Sequence, residues 1–254
     1  MNRGRRVELS PAFVLHHRPW RDTSRMLEVF SRDHGRLTLF ARGARGPKSR
    51  LASVLRPFEP LLMSWSGRGD AAQLTQAELD IEARGMGAAL PAAALMPAWY
   101  LNELLLKLTL RNDPQPTVYA LYAATLAGLH DAAALEPTLR RFEIRLLELL
   151  GYGVDFASDA RAGEPLRADA YYHFHPGLGF VRINGGEGSD AHSGALLLEI
   201  AADRLDAPAV RDEARRVLRV ALAASLEGRE LRTRAVARAL GRRGTSRSNG
   251  DRQT

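Results

Sequence analysis

Short apolar runs separated by turn residues dominate the first third of the chain. Within the run Leu37, Leu39 and Ala41, hydrophobic and polar residues alternate as in a strand with one buried face. A connector ending in Gly35 precedes this run and predicts a hairpin. The predicted strands are residues 12–17, 26–30, 37–41, 57–65 and 74–83. About five strands predict a small antiparallel barrel or sandwich, but their number does not separate an OB-type barrel from an SH3-like one.

The spacing of apolar residues becomes helical after Gly85-Met86-Gly87. Leucines three and four positions apart predict amphipathic helices, and Gly151 supplies a C-terminal stop for one of them. The predicted helices are residues 98–111, 117–129, 138–150 and 209–226. Residues 155–203 are irregular apart from one predicted hairpin, formed by residues 171–174 and 179–183.

This pattern predicts an α+β multidomain protein. Residues 1–84 form the barrel domain, and residues 88–240 form a helical-bundle domain that contains the irregular insertion 155–203. Residues 241–254 contain no apolar residue and are predicted to be a disordered basic tail.

Charge is segregated along the chain. Residues 1–50 hold 12 Lys/Arg and 4 Asp/Glu, residues 51–203 hold 11 and 19, and residues 204–254 hold 13 and 6. The sequence therefore has two basic ends around an acidic middle, which is the pattern expected if the ends share a polyanion. An arginine-rich proteome with a disordered tail is the alternative explanation.

Several classes of protein are disfavoured by what the sequence contains. With 0 cysteines, it offers neither disulfides nor thiolate metal sites. No apolar run reaches the roughly 20 residues that cross a bilayer, and the N-terminus lacks a signal-peptide pattern, so we expect a soluble cytoplasmic protein without a membrane partner.

Enzyme motifs are also weak. The loop from Gly43 to Ser49 differs from a phosphate loop because Pro47 stands where the motif needs lysine. His173, His175 and His192 share a polar region, but three histidines without a carboxylate at ligand spacing are more typical of a surface. We therefore expect no catalytic residue, metal or cofactor.

The central basic stretch is the first candidate binding site. Its cations surround an aromatic residue on the polar face of a strand and continue into a Gly/Pro loop without acids, an arrangement suited to a phosphodiester backbone with unstacked bases. A solvated charged face is the alternative. The candidate residues are Arg36, Phe40, Arg42, Arg45, Lys48 and Arg50.

Two helices carry the other candidates. Arg211, Arg215 and Arg219 recur every four residues and form a second candidate nucleic-acid surface, although exposed helices carry arginine routinely. On the predicted helix 138–150, the sequence leaves two readings open: a groove for an acidic peptide with an apolar tip, or arginines that pair with nearby glutamates or with solvent. The residues concerned are Arg140, Arg141, Phe142 and Leu146.

Long collinear blocks resemble the bacterial DNA repair protein family RecO. The main blocks are FVLHHRPWRDTSRMLEVFSRDHGRLTLFARGAR (13–45), RPFEPLLMSWSGRGD (56–70) and LRRFEIRLLELLGYGVDF (139–156), supported by YLNELLLKL (100–108) and EGRELRTRAVARAL (227–240). The resemblance runs in order from about residue 7 to residue 240.

The resemblance implies a recombination mediator rather than an enzyme, with an N-terminal OB-fold and a helical domain. Members of this family bind single- and double-stranded DNA, anneal complementary strands, and work with RecR (and RecF) to load the RecA recombinase at gaps. They also bind the acidic C-terminal tail of the single-stranded-DNA-binding protein, and the arginine that binds this tail falls on Arg140. The resemblance thus favours the peptide groove over the alternative.

One departure and two rivals remain at this point. Many members carry a four-cysteine zinc site after the Gly-Tyr-Gly turn, and the cysteine-free chain resembles the branch without zinc. An OB-fold RNA-binding or ribosome-assembly factor is the main alternative function. A metal-dependent nuclease or ligase accessory domain is the second, and it would need clustered carboxylates.

Overall fold

Five strands close into a barrel in the computed structural model, which describes residues 6–46, 49–67, 72–84, 89–184, 188 and 190–233. The strands are β1 (Arg6–Trp20), β2 (Ser24–Ser31), β3 (Gly35–Ala41), β4 (Leu61–Ser66) and β5 (Ala72–Leu79). Their order around the barrel is β1-β2-β3-β5-β4, with only β3 and β5 parallel among these pairings. The predicted OB-type barrel and α+β layout are therefore confirmed.

The alternation in the sequence explains how the barrel is filled. Leu37, Leu39 and Ala41 of β3 are buried inside it, while Arg36, Thr38 and Phe40 lie on its outer face. β1 begins earlier than predicted and passes through a bulge between Val7 and Ser10, where its pairing with β4 shifts register. Helices α1 (Arg50–Val54) and α2 (Ile81–Arg84) follow β3 and β5.

Two helices cover part of the outer face of the barrel. They are α3 (Ala92–Leu108) and α4 (Pro116–Gly128). The Phe13 ring of β1 lies 5.3 Å from the Tyr119 ring and 5.0 Å from the Tyr122 ring of α4. Asn102 of α3 donates a hydrogen bond to Leu15 O at 2.8 Å and accepts one from the Tyr122 hydroxyl at 2.5 Å. Burial raises the pKa of Tyr122, so the hydroxyl keeps the proton that it donates.

The segment after α3 is fastened to the β2–β3 hairpin. Asn112 N donates to Arg36 O at 2.8 Å, and the Arg36 guanidinium donates to Thr109 O at 2.9 Å. Gly35 has a φ of +68°, and a Cβ at this position would stand 2.1 Å from Asp113 O. Glycine is therefore required here both for the turn and for the close approach of the two backbones.

The chain divides into two compact units. One comprises residues up to His130 together with residues from Leu231 onward, and the other comprises Asp131–Glu230. The first unit thus extends beyond the sequence-based barrel domain, because α3 and α4 pack on β1. The domain boundary at residues 84–88 stays a prediction.

The second unit contains α5 (Leu135–Leu149), α6 (Gly194–Ala201), α7 (Pro208–Ser225) and a small sheet in the order β7-β6-β8. Its strands are β6 (Tyr171–His175), β7 (Gly179–Arg182) and β8 (His192–Ser193), so the hairpin predicted inside the insertion is confirmed. α6 begins at Gly194, where a larger residue does not fit, because a Cβ would stand 2.0 Å from Arg167 O. None of the described helices is long and apolar enough to cross a membrane.

Candidate nucleic-acid interface

Two connections meet at one end of the barrel. The turn after β1 and the loop after β3 are joined by the backbone of Arg45, whose N–H donates to Thr23 O at 2.8 Å. The Arg45 guanidinium also approaches Arg21 O and Asp22 O, each at 3.4 Å. These contacts hold the two basic connections side by side, although they are far apart in the sequence.

An aromatic surface lies beside these connections. On the outer face of the barrel, Arg18, Met26 and Phe40 are opposite one another on β1, β2 and β3. The Trp20 ring lies 5.2 Å from the Phe40 ring at an interplanar angle of 54°. Trp20 is 39% exposed, and Phe40 is half-buried, so part of the ring pair faces solvent. Exposed rings of this kind offer a stacking platform for unpaired bases.

The connection that follows Phe40 carries cations without described partners. Arg42 and Arg50 are exposed, and neither guanidinium has a hydrogen bond or ion pair within the described ranges. The predicted Lys48 lies outside the residues that the structure describes. We refer to the residues at this end of the barrel as the barrel-end surface, with Asp22 as the acid in its turn: Arg18, Trp20, Arg21, Arg25, Met26, Phe40, Arg42 and Arg45.

Arg36 differs from the other candidates on β3. Its side chain is 13% exposed, and its guanidinium donates to Thr109 O and lies 3.5 Å from Glu28 Oε2. Arg111 binds both Glu28 oxygens, at 2.8 and 3.0 Å. Arg36 therefore sits in an internal network that fastens the segment after α3 to the barrel, and phosphate would have to compete with these partners.

His17, on the strand that ends at the barrel-end surface, has a lowered pKa. His17 of β1 is half-buried, and burial together with the nearby Arg25 and His16 lowers its pKa from the usual 6.5. Its imidazole is therefore neutral at pH 7. The cations that we include in the barrel-end surface are all arginines.

The arginines of α7 are mostly engaged within their own unit. Arg211 donates to the carbonyl oxygens of Leu205 and Asp206, which precede the helix. Arg215 pairs with Glu136 of α5 at 2.7 Å and with Asp212 at 3.2 Å. Arg219 is exposed and has no polar partner among the residues described. Of the three arginines predicted from this spacing, Arg219 is therefore the one that is exposed without a described polar partner.

The predicted peptide site on α5 contains a buried cation. The Arg140 side chain is 8% exposed and forms an ion pair at 2.9 Å with Glu143, which is fully buried. Its Nε lacks a hydrogen-bond partner among the described residues. Arg141 instead lies on the surface and donates to Asp203 Oδ1 at 2.7 Å. Phe142 and Leu146 are both buried, so they belong to the core of the helical unit rather than to an open groove.

The three histidines of the insertion do not converge. His173 and His175 are exposed on β6, whereas His192 is buried and its Nδ1 lies 2.6 Å from Glu213 Oε1. Glu213 also accepts a hydrogen bond from Arg216 at 2.8 Å. No group of three potential metal ligands was found among the described residues. His192 and Glu213 connect β8 to α7.

The basic stretch alone does not predict that residues of the β1–β2 hairpin belong to the barrel-end surface. Arg18, Arg21 and Arg25 flank a turn that the sequence marks only as polar, and the sequence predicts a strand at Met26 without showing which way its side chain faces. The register of β1 against β2 brings them to the ring pair. The sequence does contain a signal for this placement, because a turn of three residues after Trp20 sets Arg18 opposite Met26.

Comparison with known proteins gives a consistent result over both parts of the chain. The family model described as recombination protein O N terminal matches residues 6–80, and that described as recombination protein O C terminal matches residues 92–235. A protein called DNA repair protein RecO from Alkalilimnicola ehrlichii is 44% identical over 94% of this chain and 94% of its own length. Its counterpart from Methylococcus capsulatus is 42% identical over 90% of this chain and 92% of its own.

Proposed function

Because the chain belongs to the RecO family of DNA repair proteins, we propose that it binds single-stranded DNA non-catalytically through the barrel-end surface. The observation that carries this proposal is the exposed Trp20–Phe40 ring pair beside Arg42, a cation with no partner in the described part of the chain. Rings and cations together suit a chain of phosphates that carries unstacked bases.

Binding of this kind has two physical components. Arginines neutralise phosphates and release condensed counterions, which lowers the affinity as salt rises. Bases stack on the rings at about 1–3 kcal/mol per base, with little sequence preference because every base has a π-face. If four phosphates are neutralised, a fourfold rise in KCl weakens single-strand binding by about 50-fold.

A salt titration tests the proposal. Fluorescence anisotropy of a labelled oligothymidylate of about 20 nucleotides would be followed from about 50 to 400 mM KCl. We expect Trp20→Ala to weaken binding by about 5- to 150-fold, because a stacking platform is lost.

The matched control for the charge component is Arg32→Glu compared with Arg42→Glu. Arg32 lies beyond the opposite end of β3 and is exposed, paired with Asp33 at 3.0 Å. Both variants change the net charge by the same amount. If DNA binds at the end of the barrel that bears Arg42, only Arg42→Glu should lose much of its affinity for single strands. Affinity that ignores KCl, or equal losses in the two variants, would falsify the proposal.

We further propose strand annealing and recombinase loading as the role of this surface. A protein that screens phosphates on two strands lowers their repulsion while bases pair, so it accelerates annealing. In this proposal the chain also binds duplex DNA and acts with RecR and RecF to load RecA at gaps. Annealing of oligonucleotides coated with the single-stranded-DNA-binding protein tests this role, and an unchanged rate upon addition of the chain contradicts it.

The tail of the single-stranded-DNA-binding protein is proposed to bind at Arg140. The unpartnered Nε of this side chain supports the proposal, because it leaves a donor for a carboxylate. Since Arg140 is buried against Glu143, peptide binding requires the side chain to move and the ion pair to break.

Arg140→Lys and Arg141→Ala separate this proposal from a surface-charge effect. Lysine keeps the charge but loses the Nε donor, so the affinity for an acidic peptide ending in Asp-Phe should fall at least about tenfold while DNA affinity is retained. Arg141→Ala should leave both affinities nearly unchanged. Loss of peptide binding in Arg141→Ala alone would move the site to the surface of α5.

An RNA-binding role remains the alternative, because stacking and phosphate contacts do not discriminate against a 2′-hydroxyl. Competition between single-stranded DNA and RNA of equal length decides between the two. The family assignment favours DNA, and a preference for RNA of tenfold or more would favour the alternative.

A further inference from the structure

A second pair of aromatic rings lies on the barrel unit, outside the barrel-end surface. The Phe58 ring, which precedes β4, lies 4.9 Å from the Trp99 ring of α3 at an interplanar angle of 74°. Both side chains are half-buried, so part of each faces solvent. An edge-to-face arrangement covers one face of only one ring, which leaves aromatic surface for a further stacking partner. We call these two residues the Phe58–Trp99 pair.

The backbone of Phe58 is strained. Its φ is +70°, in the left-handed region that bulky residues rarely adopt. Glycine would adopt the same conformation at lower cost, yet the chain keeps an aromatic side chain at this position. Residues held in such conformations cluster at ligand sites, so the strain marks Phe58 as a residue whose ring has a use beyond filling space.

The Phe58–Trp99 pair lies beside β1. Pro57 forms an isolated parallel bridge with Val14, so the chain continues to Phe58 next to the part of β1 that follows Val14. The helix of Trp99 is fastened at the same place, because the α3 side chain three residues further along donates a hydrogen bond to Leu15 O. Both rings are therefore held next to the middle of β1.

From Leu15, β1 leads directly to the barrel-end surface. The strand continues for five residues to Trp20, a distance of about 17 Å at the rise of a strand. Its pairing with β4 ends at Ala12, and no described strand pairs with that edge of β1 after the bridge at Val14. The edge of β1 between the Phe58–Trp99 pair and Trp20 is therefore not covered by another described strand.

Exposed cations accompany this path along β1. Arg56, which precedes the bridge to β1, is exposed, and its guanidinium has no hydrogen bond or ion pair within the described ranges. Arg18, near the other end of the path, is exposed and has no carboxylate partner among the described residues. The carboxylates next to the path are Glu28, Glu59 and Glu103, and each of them has a partner of its own.

We propose that the Phe58–Trp99 pair is a second stacking site for the single strand that binds at the barrel end, and that this strand runs along β1 between the two. The ligand is single-stranded nucleic acid long enough to span about 17 Å, with phosphates beside Arg56 and Arg18. This inference rests on the proposed function, because the first stacking site is the Trp20–Phe40 pair. Full affinity then requires a minimum length of strand.

Continuity with the barrel-end surface favours nucleic acid over a protein partner at these rings. Leu95 of α3, one turn before Trp99, is 42% exposed, and an apolar protein surface could use it together with the rings. A protein partner of that kind gives no role to the unpaired Arg56, whereas a phosphate chain does. The choice between the two is made an outcome of the experiment.

Binding of two oligothymidylates to the full chain tests the inference. One of about three nucleotides is too short to span the two ring pairs, and one of about 12 nucleotides spans them. Trp99→Leu keeps an apolar contact with Phe58 but offers no aromatic face, whereas the matched Trp99→Phe keeps a ring. Tyr152→Ala, which removes a ring that is 53% exposed in the other unit, is the control.

We expect Trp99→Leu to bind the long oligonucleotide about tenfold more weakly than the wild type and the short one within about twofold of it. Trp99→Phe should stay within about threefold for the long oligonucleotide, because a stacking face remains, and Tyr152→Ala should match the wild type. Unchanged affinity of folded Trp99→Leu for the long oligonucleotide overturns the inference and would point to a protein partner. Equal losses in Trp99→Leu and Trp99→Phe also overturn it.

Tryptophan fluorescence reports the contact directly, even if Trp99→Leu loses its fold. The chain holds 3 tryptophans, and Trp65 is 4% exposed inside the barrel. In Trp20→Phe, quenching by the long oligonucleotide therefore comes from Trp99. We expect such quenching in this variant and its loss in Trp20→Phe/Trp99→Phe. Trp20→Phe protein that binds the long oligonucleotide without quenching contradicts the second stacking site.

The phosphate contact at Arg56 is tested by salt dependence. Arg56→Gln should lower the slope of log affinity against log salt by about 0.7 for the long oligonucleotide and leave the slope for the short one unchanged. Arg32→Gln, at an exposed arginine paired with Asp33, is the matched control and should change neither slope. Equal slopes for Arg56→Gln and the wild type contradict a path past Arg56.

Failure of this inference and failure of the proposed function give different results. If the barrel-end surface does not bind DNA, Trp20→Ala leaves the affinity for both oligonucleotides unchanged. If only the inference is wrong, Trp20→Ala weakens the binding of both, while Trp99→Leu weakens neither.

Discussion

The barrel-end surface and α7 are both rich in arginine, but their arginines differ in the partners that the fold gives them. On α7 arginines recur every four residues, and at the barrel end they cluster around two connections of the chain. At the barrel end, Arg42 is exposed without a partner in the described ranges, whereas on α7 Arg215 contacts two carboxylates, Glu136 and Asp212. Under the proposed function, a run of cations marks a ligand surface only where the fold leaves cations without carboxylate partners.

The difference has a physical origin in what each surface packs against. On α7, Arg215 pairs with Glu136 of α5 and Arg211 donates to a carbonyl group that precedes its own helix, so the folded unit itself supplies their partners. The barrel end is made of two connections joined by a backbone hydrogen bond from Arg45 N to Thr23 O, and Arg42 beside it is exposed to solvent. Unpaired arginines at close spacing repel one another and favour an anionic ligand.

Removing the buried acid of α7 should have the largest effect on stability. Glu213→Ala leaves the buried His192 without its partner and frees Arg216 from one of its contacts, so unfolding should become about 3 kcal/mol easier. Urea denaturation measures this change. Asp212→Ala, an exposed acid on the same helix, is the control and should cost less than about 1 kcal/mol. A folded Glu213→Ala protein with weakened DNA binding would contradict the structural role of these contacts.

Charge reversal on the two surfaces should separate them by affinity. The double variant Arg42→Glu/Arg45→Glu is expected to weaken single-strand binding by about 100-fold at low salt, because phosphates meet two new negative charges. Arg215→Glu/Arg219→Glu makes the same change in net charge and should weaken binding by about threefold or less. Anisotropy titrations at matched ionic strength measure both. Equal losses would mean that α7 contributes as much as the barrel end.

The pH dependence of stability should report whether Glu103 of α3 accepts its hydrogen bonds from Arg232 N and Thr233 N in solution. Its folded-state pKa is lowered, so its contribution is fully present above the unfolded value of 4.5 and is lost as the pH falls through the lowered folded pKa. The free energy of unfolding of the wild type should therefore exceed that of Glu103→Gln at pH 7, and the two should converge under acid. A constant difference across this range would show that the carboxylate charge contributes nothing.

Much of the architecture could be predicted because the periodicity of apolar residues and the composition of turns are local features of the sequence. The alternation around Leu39 identified β3, and the Gly-bearing turn before Gly179 identified the small hairpin. Side-chain partners could not be predicted, since they depend on contacts between distant residues. Arg36 is held by Thr109 and Glu28, and no local pattern distinguishes it from the exposed Arg42.

The smallest expected effect concerns Arg219, the cation of α7 that most resembles those of the barrel end. It is exposed and has no described polar partner, so Arg219→Ala should change stability by less than about 0.5 kcal/mol. If lack of a partner were sufficient for DNA binding, this variant would weaken binding as strongly as Arg42→Ala does. We expect instead less than about a twofold change in single-strand affinity, because Arg219 has neither an adjacent ring pair nor a second unpaired cation on α7. Anisotropy titrations of Arg219→Ala and Arg42→Ala under identical salt conditions decide between these outcomes, and equal losses would show that exposure alone, without stacking, defines the interface.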